Sequence, residues 1–220
     1  MTTQSDTESR SAGKHRVILA AAEKVFLKSG YDGTSMDEIA ALAGVSKQTV
    51  YKHFADKERL FSEIVLSTTD RIDDVMRLVA DRLTDTPDLE RDLRRLGREL
   101  IVALMNPNLL RLRRLVIATA ERMPKVSSTW YEQGFERVLA TMASCFQRLT
   151  EKRLLMIDDP LLAANHFAGL LLWIPVNQAM FTGGTHVASK VELDRYADAA
   201  VRTFLAAYAV KLQPGARRPK

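Results

Sequence analysis

Residues 34–54, TSMDEIAALAGVSKQTVYKHF, carry the strongest structural signal in the chain. Apolar residues in this stretch recur at the spacing of two short helices, one around 37–43 and one over 47–54. Gly44 lies between them in a tight break, and Ser46 is a residue type that caps the start of a helix well. Two helices of about eight residues joined by a glycine-containing turn predict a helix-turn-helix, whose second helix can enter the major groove of DNA.

The second of these helices divides its side chains between two faces, at about 100° per residue. Val50 and Phe54 point to one side, whereas Gln48 and Lys52 point almost oppositely. An amide can pair with adenine and a lysine with guanine or phosphate, while hydroxyls and charges at helix ends typically meet phosphate. Spacing alone leaves open that this is only the exposed face of a small bundle. The candidate DNA contacts are Thr34, Ser35, Ser46, Lys47, Gln48, Thr49, Tyr51, Lys52, His53 and Lys57.

A longer stretch, from Lys14 to Val65, resembles the N-terminal domain of TetR/AcrR-family regulators. The likeness runs through the G-x-x-x-T-S turn, the I-A-x-x-A-G-V-S break and the V-Y-x-H-F-x-x-K-x-x-L-F run. The resemblance implies that Lys47, Gln48 and Lys52 set the sequence preference. It implies DNA contacts at Thr34, Lys47, Gln48, Thr49, Tyr51, Lys52, His53 and Lys57, and a motif core of Val45, Val50, Phe54, Leu60 and Phe61.

The remainder of the chain predicts an all-α protein of about nine helices, because apolar residues recur at helical spacing and no useful alternating strand occurs. Thr84–Pro87 is the clearest polar break. The predicted domains are a disordered tail over 1–13, a DNA-binding domain over 14–72, a helical ligand-binding and dimerisation domain over 73–212, and a tail over 213–220. Within the second domain, helices are expected at 88–105, 108–123, 127–152, 160–181 and 191–212.

Composition limits the class of protein without locating a site. The 220 residues include one cysteine, Cys145, which excludes an intrachain disulfide framework and favours a reducing cytoplasm. The sequence pI is about 9.4, but residues 1–72 carry ten basic and ten acidic side chains, so the excess positive charge lies downstream. Bulk basicity therefore does not identify the DNA-binding surface.

The second domain weakly resembles C-terminal domains of the same family, which usually sense a small molecule. A lipophilic effector and homodimerisation on a palindromic site are expected on that ground, although apolar stripes at helical spacing also fit a plain core. The candidate ligand contacts are Leu109, Val116, Tyr131, Phe135, Met142, His166, Leu170 and Trp173. The candidate dimer interface on the last two helices is Phe167, Leu171, Val201, Phe204, Leu205 and Tyr208.

These patterns favour a cytoplasmic, nucleoid-associated DNA-binding regulator, in the first instance a ligand-released repressor. The alternative is a TetR-like regulator that is controlled by a protein partner or acts as an activator. No enzyme, cofactor or metal site is expected, because the four histidines lack ligand spacing and no phosphate loop or nucleophile elbow occurs. A membrane protein is disfavoured because the longest apolar run, Phe167–Ile174, is too short to span.

Overall fold

The structure, a computed structural model, describes residues 3–83, 86–183 and 188–210. Across these three ranges the chain is helical with connecting turns, and the sole pairing of extended backbone is an isolated bridge between Leu155 and Ala209. The predicted all-α class is therefore confirmed. The predicted tail at 213–220 lies outside the described residues.

Four helices form the N-terminal part of the chain. They are α1 (Thr3–Gly33), α2 (Met36–Ala43), α3 (Lys47–His53) and α4 (Lys57–Leu83). Gly30 inside α1 has φ 73°, a left-handed conformation that favours glycine and that interrupts the regular helix there.

The C-terminal part contains six further α-helices and one π-helical segment. They are α5 (Leu89–Leu104), α6 (Pro107–Ala118), α7 (Pro124–Thr129), the π-helical segment Trp130–Glu136, α8 (Arg137–Glu151), α9 (Pro160–Phe181) and α10 (Lys190–Tyr208). The single helix expected over 127–152 therefore begins earlier, at Pro124, and changes hydrogen-bond register in its first half. Apolar periodicity does not detect such a register change, because a π-helical turn alters the backbone pairing by only one residue.

The start of α1 corrects the prediction of a disordered tail over 1–13. The described residues from Thr3 onward are helical and continue into α1 without a break. Residues 3–13 are almost uniformly polar, so they show no apolar stripe by which the sequence could indicate a helix. Adding residues to a helix that has already formed is more favourable than starting a new helix. The polar residues at the start of α1 are helical because they extend the helix that follows them.

The described residues fall into two compact units. The N-terminal unit comprises the residues up to Asp70 together with Arg111–Gln133, and the C-terminal unit comprises Arg71–Leu110 with the residues from Gly134 onward. This corrects the predicted division, which gave all of 73–212 to one domain. The physical reason is that residues of 111–133 bury their side chains with those of α1–α4, in one core that includes Leu112, Val116, Met123 and Val126.

The C-terminal unit is built around contacts of α10 with α5 and α9, and of α8 with α9. At its centre the ring of Phe204 lies 4.8 Å from that of Phe146 and 5.2 Å from that of Phe167, between ring centroids. All three side chains are fully buried. Over the residues that the structure describes, no helix combines the length and apolarity needed to cross a bilayer.

Candidate nucleic-acid interface

Two serine caps and one glycine define the helix-turn-helix. The Ser35 side chain accepts a hydrogen bond from the Glu38 backbone N–H at 3.1 Å, which starts α2. Gly44, at φ 66°, ends α2 in the left-handed conformation. The Ser46 side chain then accepts from the Thr49 backbone N–H at 3.1 Å, which starts α3. The bounds of both short helices lie within one residue of those predicted, and Ser46 caps α3 as the sequence predicts.

The helix α3 has one buried face and one exposed polar face, as its periodicity predicts. Val50 is fully buried, and Phe54, directly after the helix, is buried with it in the core of the N-terminal unit. Gln48, Tyr51 and Lys52 are exposed. An amide, a phenol and an ammonium group therefore lie together on the outer face of a short helix. These are groups that can donate to or accept from the edges of bases in the major groove.

Two of the predicted DNA contacts have hydrogen-bond partners within the chain, and for Thr34 this corrects the prediction. Thr34 is 4% exposed, and its hydroxyl donates to the Gly30 carbonyl at 2.6 Å. The half-buried Lys57 ammonium donates to the Tyr31 and Thr34 carbonyls at 2.9 and 3.1 Å. The last residues of a helix have carbonyl oxygens without helical partners. The Thr34 and Lys57 side chains donate hydrogen bonds to carbonyl oxygens of this kind near the end of α1. The buried Thr34 hydroxyl is therefore not presented to a phosphate, whereas Lys57 keeps one N–H donor and stays a predicted phosphate contact.

The same lysine also packs on an aromatic ring. The Lys57 ammonium lies 4.6 Å from the centre of the Tyr31 ring, and the Arg122 guanidinium lies 4.9 Å from it. Arg122 also pairs with Asp32 at 2.9 Å. Sequence reasoning missed this cluster, because Arg122 lies some ninety positions away from Asp32 and no periodic pattern joins them. Cation–π contacts of this kind add to the packing of the turn.

His53 lies at the end of α3 beside a second histidine. The His15 ring stacks on Phe54 at 4.7 Å and lies 5.8 Å from the His53 ring, and its Nε2 atom pairs with Glu63 at 2.9 Å. Burial lowers the pKa of His53 below its usual range, and the neighbouring His15, Lys52 and Lys14 lower it further. In the chain without DNA the lowered pKa favours the neutral form of His53 near pH 7, which can meet a phosphate through an N–H donor.

The start of α3 carries an ion pair that the sequence analysis did not predict. The Lys47 ammonium lies 2.7 and 3.0 Å from the two carboxylate oxygens of Asp37, in the first turn of α2. At the same end of α3, the Ser46 and Thr49 hydroxyls lie 2.8 Å apart and share a hydrogen bond. Three of the predicted DNA contacts are thus held in place by neighbours, and an acidic residue joins the surface that they form.

The predicted ligand contacts do not form one group within either unit. Val116 is buried in the core of the N-terminal unit and Met142 in that of the C-terminal unit. Tyr131 and Trp173 are exposed, the latter at 72%. The remaining predicted contacts are Leu109, which is half-buried, and Phe135, His166 and Leu170, which are exposed.

His166, one of the predicted ligand contacts, lies on the surface of the C-terminal unit. It is exposed on α9, where its Nδ1 atom lies 2.6 Å from the Tyr208 hydroxyl on α10. A periodic apolar pattern places a residue on a helix face, but it does not show whether that face is covered.

Four of the six predicted interface residues belong to the chain's own core, which corrects the predicted interface. Their side chains are fully buried within the C-terminal unit, so they cannot meet a second copy of the chain; they are Phe167, Leu171, Val201 and Phe204. Leu205 and Tyr208 are half-buried and pack against that core. A different face of α9 is apolar and exposed, with Leu162, Leu170, Trp173, Ile174 and Phe181.

Across the described ranges, no group of three or more His, Cys, Asp or Glu side chains is arranged to hold a metal ion. Cys145 is buried, and its thiol lies 3.5 Å from the Ala80 carbonyl. A buried thiol that is hydrogen-bonded in a helical core is not placed for nucleophilic chemistry.

Two family profiles match the chain. Residues 18–64 match the profile of bacterial regulatory proteins of the tetR family, and residues 91–210 match the C-terminal domain of AefR-like transcriptional repressors. The second match alone covers more than half of the chain.

Relatives of known structure match along most of the length. A chain from Mesorhizobium loti MAFF303099, described as a TetR-family transcriptional regulator, is 56% identical and aligns over 91% of this chain and 99% of that one, with a TM-score of 0.88. The flavonoid-responsive regulator FrrA is 26% identical over 91% of this chain and 100% of its own, with a TM-score of 0.69.

A curated relative matches over a shorter stretch. The HTH-type transcriptional regulator YdeS of Bacillus subtilis strain 168, which is uncharacterized, is 39% identical over 87 residues. That alignment covers 38% of this chain and 44% of YdeS, so the chain spans less than half the length of this curated relative.

Proposed function

This chain belongs to the TetR family of transcriptional regulators, and from that membership we propose that it is a repressor that a small molecule releases from a palindromic operator. We place its action on double-stranded DNA in the cytoplasm, without an enzymatic activity of its own. The description of the profile that matches residues 91–210, an AefR-like transcriptional repressor domain, supports repression over activation.

The observation that carries the proposal is the outer face of α3. Gln48, Tyr51 and Lys52 are exposed on this helix, while Val50 and Phe54 anchor it in the core. A recognition helix needs this combination, because its backbone must be held rigidly while its polar side chains reach base edges. A well-placed pair between a side chain and a base contributes about 1–3 kcal/mol of discrimination against the wrong base.

We propose that the chain acts as a homodimer. One helix-turn-helix contacts few base pairs, and a two-fold dimer reads two half-sites about 34–36 Å apart or a multiple of that distance. The exposed apolar face of α9, which carries Leu170, Trp173 and Phe181, supports dimerisation, because an apolar patch of this kind marks an interaction surface. This face replaces the buried residues that the sequence predicts.

We propose a lipophilic small molecule as the effector of the region that matches the AefR-like domain. The support is the relationship to FrrA, whose name states that it responds to flavonoids. An effector must bind the released form more tightly than the DNA-bound form, and a coupling of about 1–3 kcal/mol is typical. Flavonoid aglycones and other lipophilic aromatic compounds therefore form the first panel to test.

The experiment for the DNA-binding part is selection of duplexes from a random pool by the purified full-length chain. The expected result is a single enriched motif with inverted symmetry and a fixed spacing of its half-sites. A pool that stays unenriched after several rounds at modest salt contradicts DNA recognition. An enriched motif without two-fold symmetry contradicts the palindromic operator alone.

The effector is tested by thermal unfolding of the chain across the panel, followed by operator binding in the presence of each compound that shifts the midpoint. A compound that binds the native state raises the unfolding midpoint. The expected result is that such a compound also weakens operator binding by about 5- to 150-fold. Binding of a compound without any change in operator affinity contradicts release by that ligand.

A further inference from the structure

An acidic side chain lies beside the start of the recognition helix. Asp37, in the first turn of α2, holds the ammonium group of Lys47, the first residue of α3. The hydrogen bond between them, and then the attraction of the carboxylate, raise the pKa of Lys47. The Lys47 and Asp37 side chains are 58% and 65% exposed, so the pair lies at the surface rather than in the core.

An exposed ion pair contributes only about 0–1 kcal/mol to folding. The main consequence of this pair therefore concerns what else the Lys47 ammonium can bind. The first residues of a recognition helix are the ones that contact base edges. A carboxylate at that position repels phosphate groups, and it neutralises the charge that would otherwise attract them.

The geometry of an ammonium group lets it keep this partner and still contact DNA. Lysine carries three donors, so Lys47 can hold Asp37 and direct another N–H toward a base. Such a neutral pair offers a directed donor, which suits the acceptors of a guanine edge. It offers little net charge, whereas binding to phosphates of any sequence depends on net positive charge.

We propose that Asp37 is a specificity-determining residue, which suppresses the binding of Lys47 to the phosphates of non-operator DNA and aims its ammonium at a base in the operator. This inference rests on the proposed function as a DNA-binding regulator. In this proposal the Asp37 carboxylate weakens the complexes with non-operator DNA, and weakening of competing complexes is a recognised source of specificity.

The test compares the full-length wild-type chain with Asp37→Asn on two duplexes, the selected operator and a scrambled duplex of the same composition. Fluorescence anisotropy gives the affinities between about 50 and about 200 mM salt. On the scrambled duplex, Asp37→Asn is expected to bind about threefold or more tightly at the low-salt end, with a slope of log K against log salt that is steeper by about 0.9. The affinity for the operator is expected to rise less, so the ratio of the two affinities falls.

Two controls separate the contact from a general effect of charge. Glu38→Gln removes the same charge one residue along α2, and it is expected to change the affinity ratio much less. In a Lys47→Ala background, Asp37→Asn is expected to have no remaining effect on the ratio, because the partner through which it acts is gone. Thermal unfolding of each variant checks that the fold is unchanged.

The inference is overturned if Asp37→Asn leaves the affinity ratio and the salt slope unchanged. It is also overturned if Glu38→Gln lowers the affinity ratio as much as Asp37→Asn does. The same holds if Asp37→Asn still lowers the affinity ratio in the Lys47→Ala background. A wild-type chain that binds neither duplex contradicts the proposed function instead, so the two failures are distinguishable.

Discussion

The sequence of the recognition helix α3 shows which of its faces is buried, whereas the sequence of the long helix α9 does not. On α3, apolar and polar residues occupy opposite faces, and the structure buries Val50 while it exposes Gln48 and Lys52. On α9, apolar residues occur around the whole circumference: Phe167 is buried and Trp173 is exposed. A helix with one apolar face indicates which side is inside, whereas a helix that is apolar all round does not.

This difference explains the error in the predicted dimer interface. The sequence shows that α9 has apolar residues to cover, but it does not show which of them the chain covers itself. In the structure α9 packs against α8 and α10 with one face, and Leu170, Trp173 and Phe181 remain on the other. A substitution in the core that α9 packs against is therefore expected to act on folding, and one on its exposed face is expected to act on assembly.

The largest expected effect is on folding, from a substitution in the core of the C-terminal unit. Phe204→Ala removes a fully buried ring that contacts Phe146 and Phe167. We expect the free energy of unfolding to fall by about 3–5 kcal/mol, because a large buried side chain leaves a cavity. Urea denaturation at fixed protein concentration measures this. A loss below about 1 kcal/mol would contradict the burial of Phe204 in a well-packed core.

On the exposed face of α9, Trp173→Ala is expected to weaken dimerisation. If the exposed face of α9 is the dimer interface, loss of this ring weakens dimerisation by about 2 kcal/mol or more, as for an aromatic residue at the centre of an interface. Sedimentation velocity over a series of concentrations measures the change, with Val17→Ala, an exposed residue of α1, as the control. Identical dimerisation of wild type and Trp173→Ala would remove this face from consideration.

Thr34→Val tests whether the buried Thr34 hydroxyl stabilises the DNA-binding region or contacts DNA. The change keeps the shape of the side chain and removes the hydroxyl that donates to the Gly30 carbonyl. We expect a loss of about 1 kcal/mol in the free energy of unfolding, which is the usual contribution of one hydrogen bond. Because Thr34 is buried, the affinity of the folded variant for the operator should not change. A loss of about 1.5–3 kcal/mol in operator affinity, the usual contribution of a hydrogen bond to a charged group, would show that Thr34 does contact a phosphate.

The smallest expected effect concerns pH. The pKa of His53 in the folded chain lies below its usual value of 6.5, so unfolding makes the residue take up a proton more readily. The contribution of His53 to stability is therefore complete above about pH 6.5 and is lost as the pH falls below it. Thermal unfolding between pH 5 and 8 should show a shallower decline for His53→Asn than for wild type. Superimposable pH profiles would contradict the lowered pKa of His53.

Local rules were enough to predict the helix-turn-helix. Ser35, Gly44 and Ser46 act on residues within a few positions of themselves, and their effects on the backbone are the same in most proteins. The division of faces on α3 is also local, since it depends only on helical period. For this reason the bounds of α2 and α3 and the exposure of Gln48, Tyr51 and Lys52 follow from the sequence.

The remaining features depend on contacts between distant residues, which no local pattern contains. The pair of Lys47 with Asp37 crosses a turn, and Lys57 reaches carbonyls 23 and 26 positions away. Residues 111–133 belong to the N-terminal unit because side chains such as Val116 are buried in its core. Their own sequence pattern does not show which of the two cores they join. Tertiary packing determines these features, and it gives Thr34 and Lys57 carbonyl partners within the chain.

In the proposed function, the exposed polar face of α3 recognises DNA while the opposite face holds the helix in the core. This is tested by the affinity of the double variant Gln48→Ala, Lys52→Ala for the selected operator, beside a control variant Lys24→Ala on an exposed position of α1. The double variant is expected to lose about 2–6 kcal/mol of operator affinity, from two base contacts, with its unfolding midpoint unchanged. Wild-type affinity in the double variant, with the fold intact, would contradict the assignment of α3 as the recognition helix.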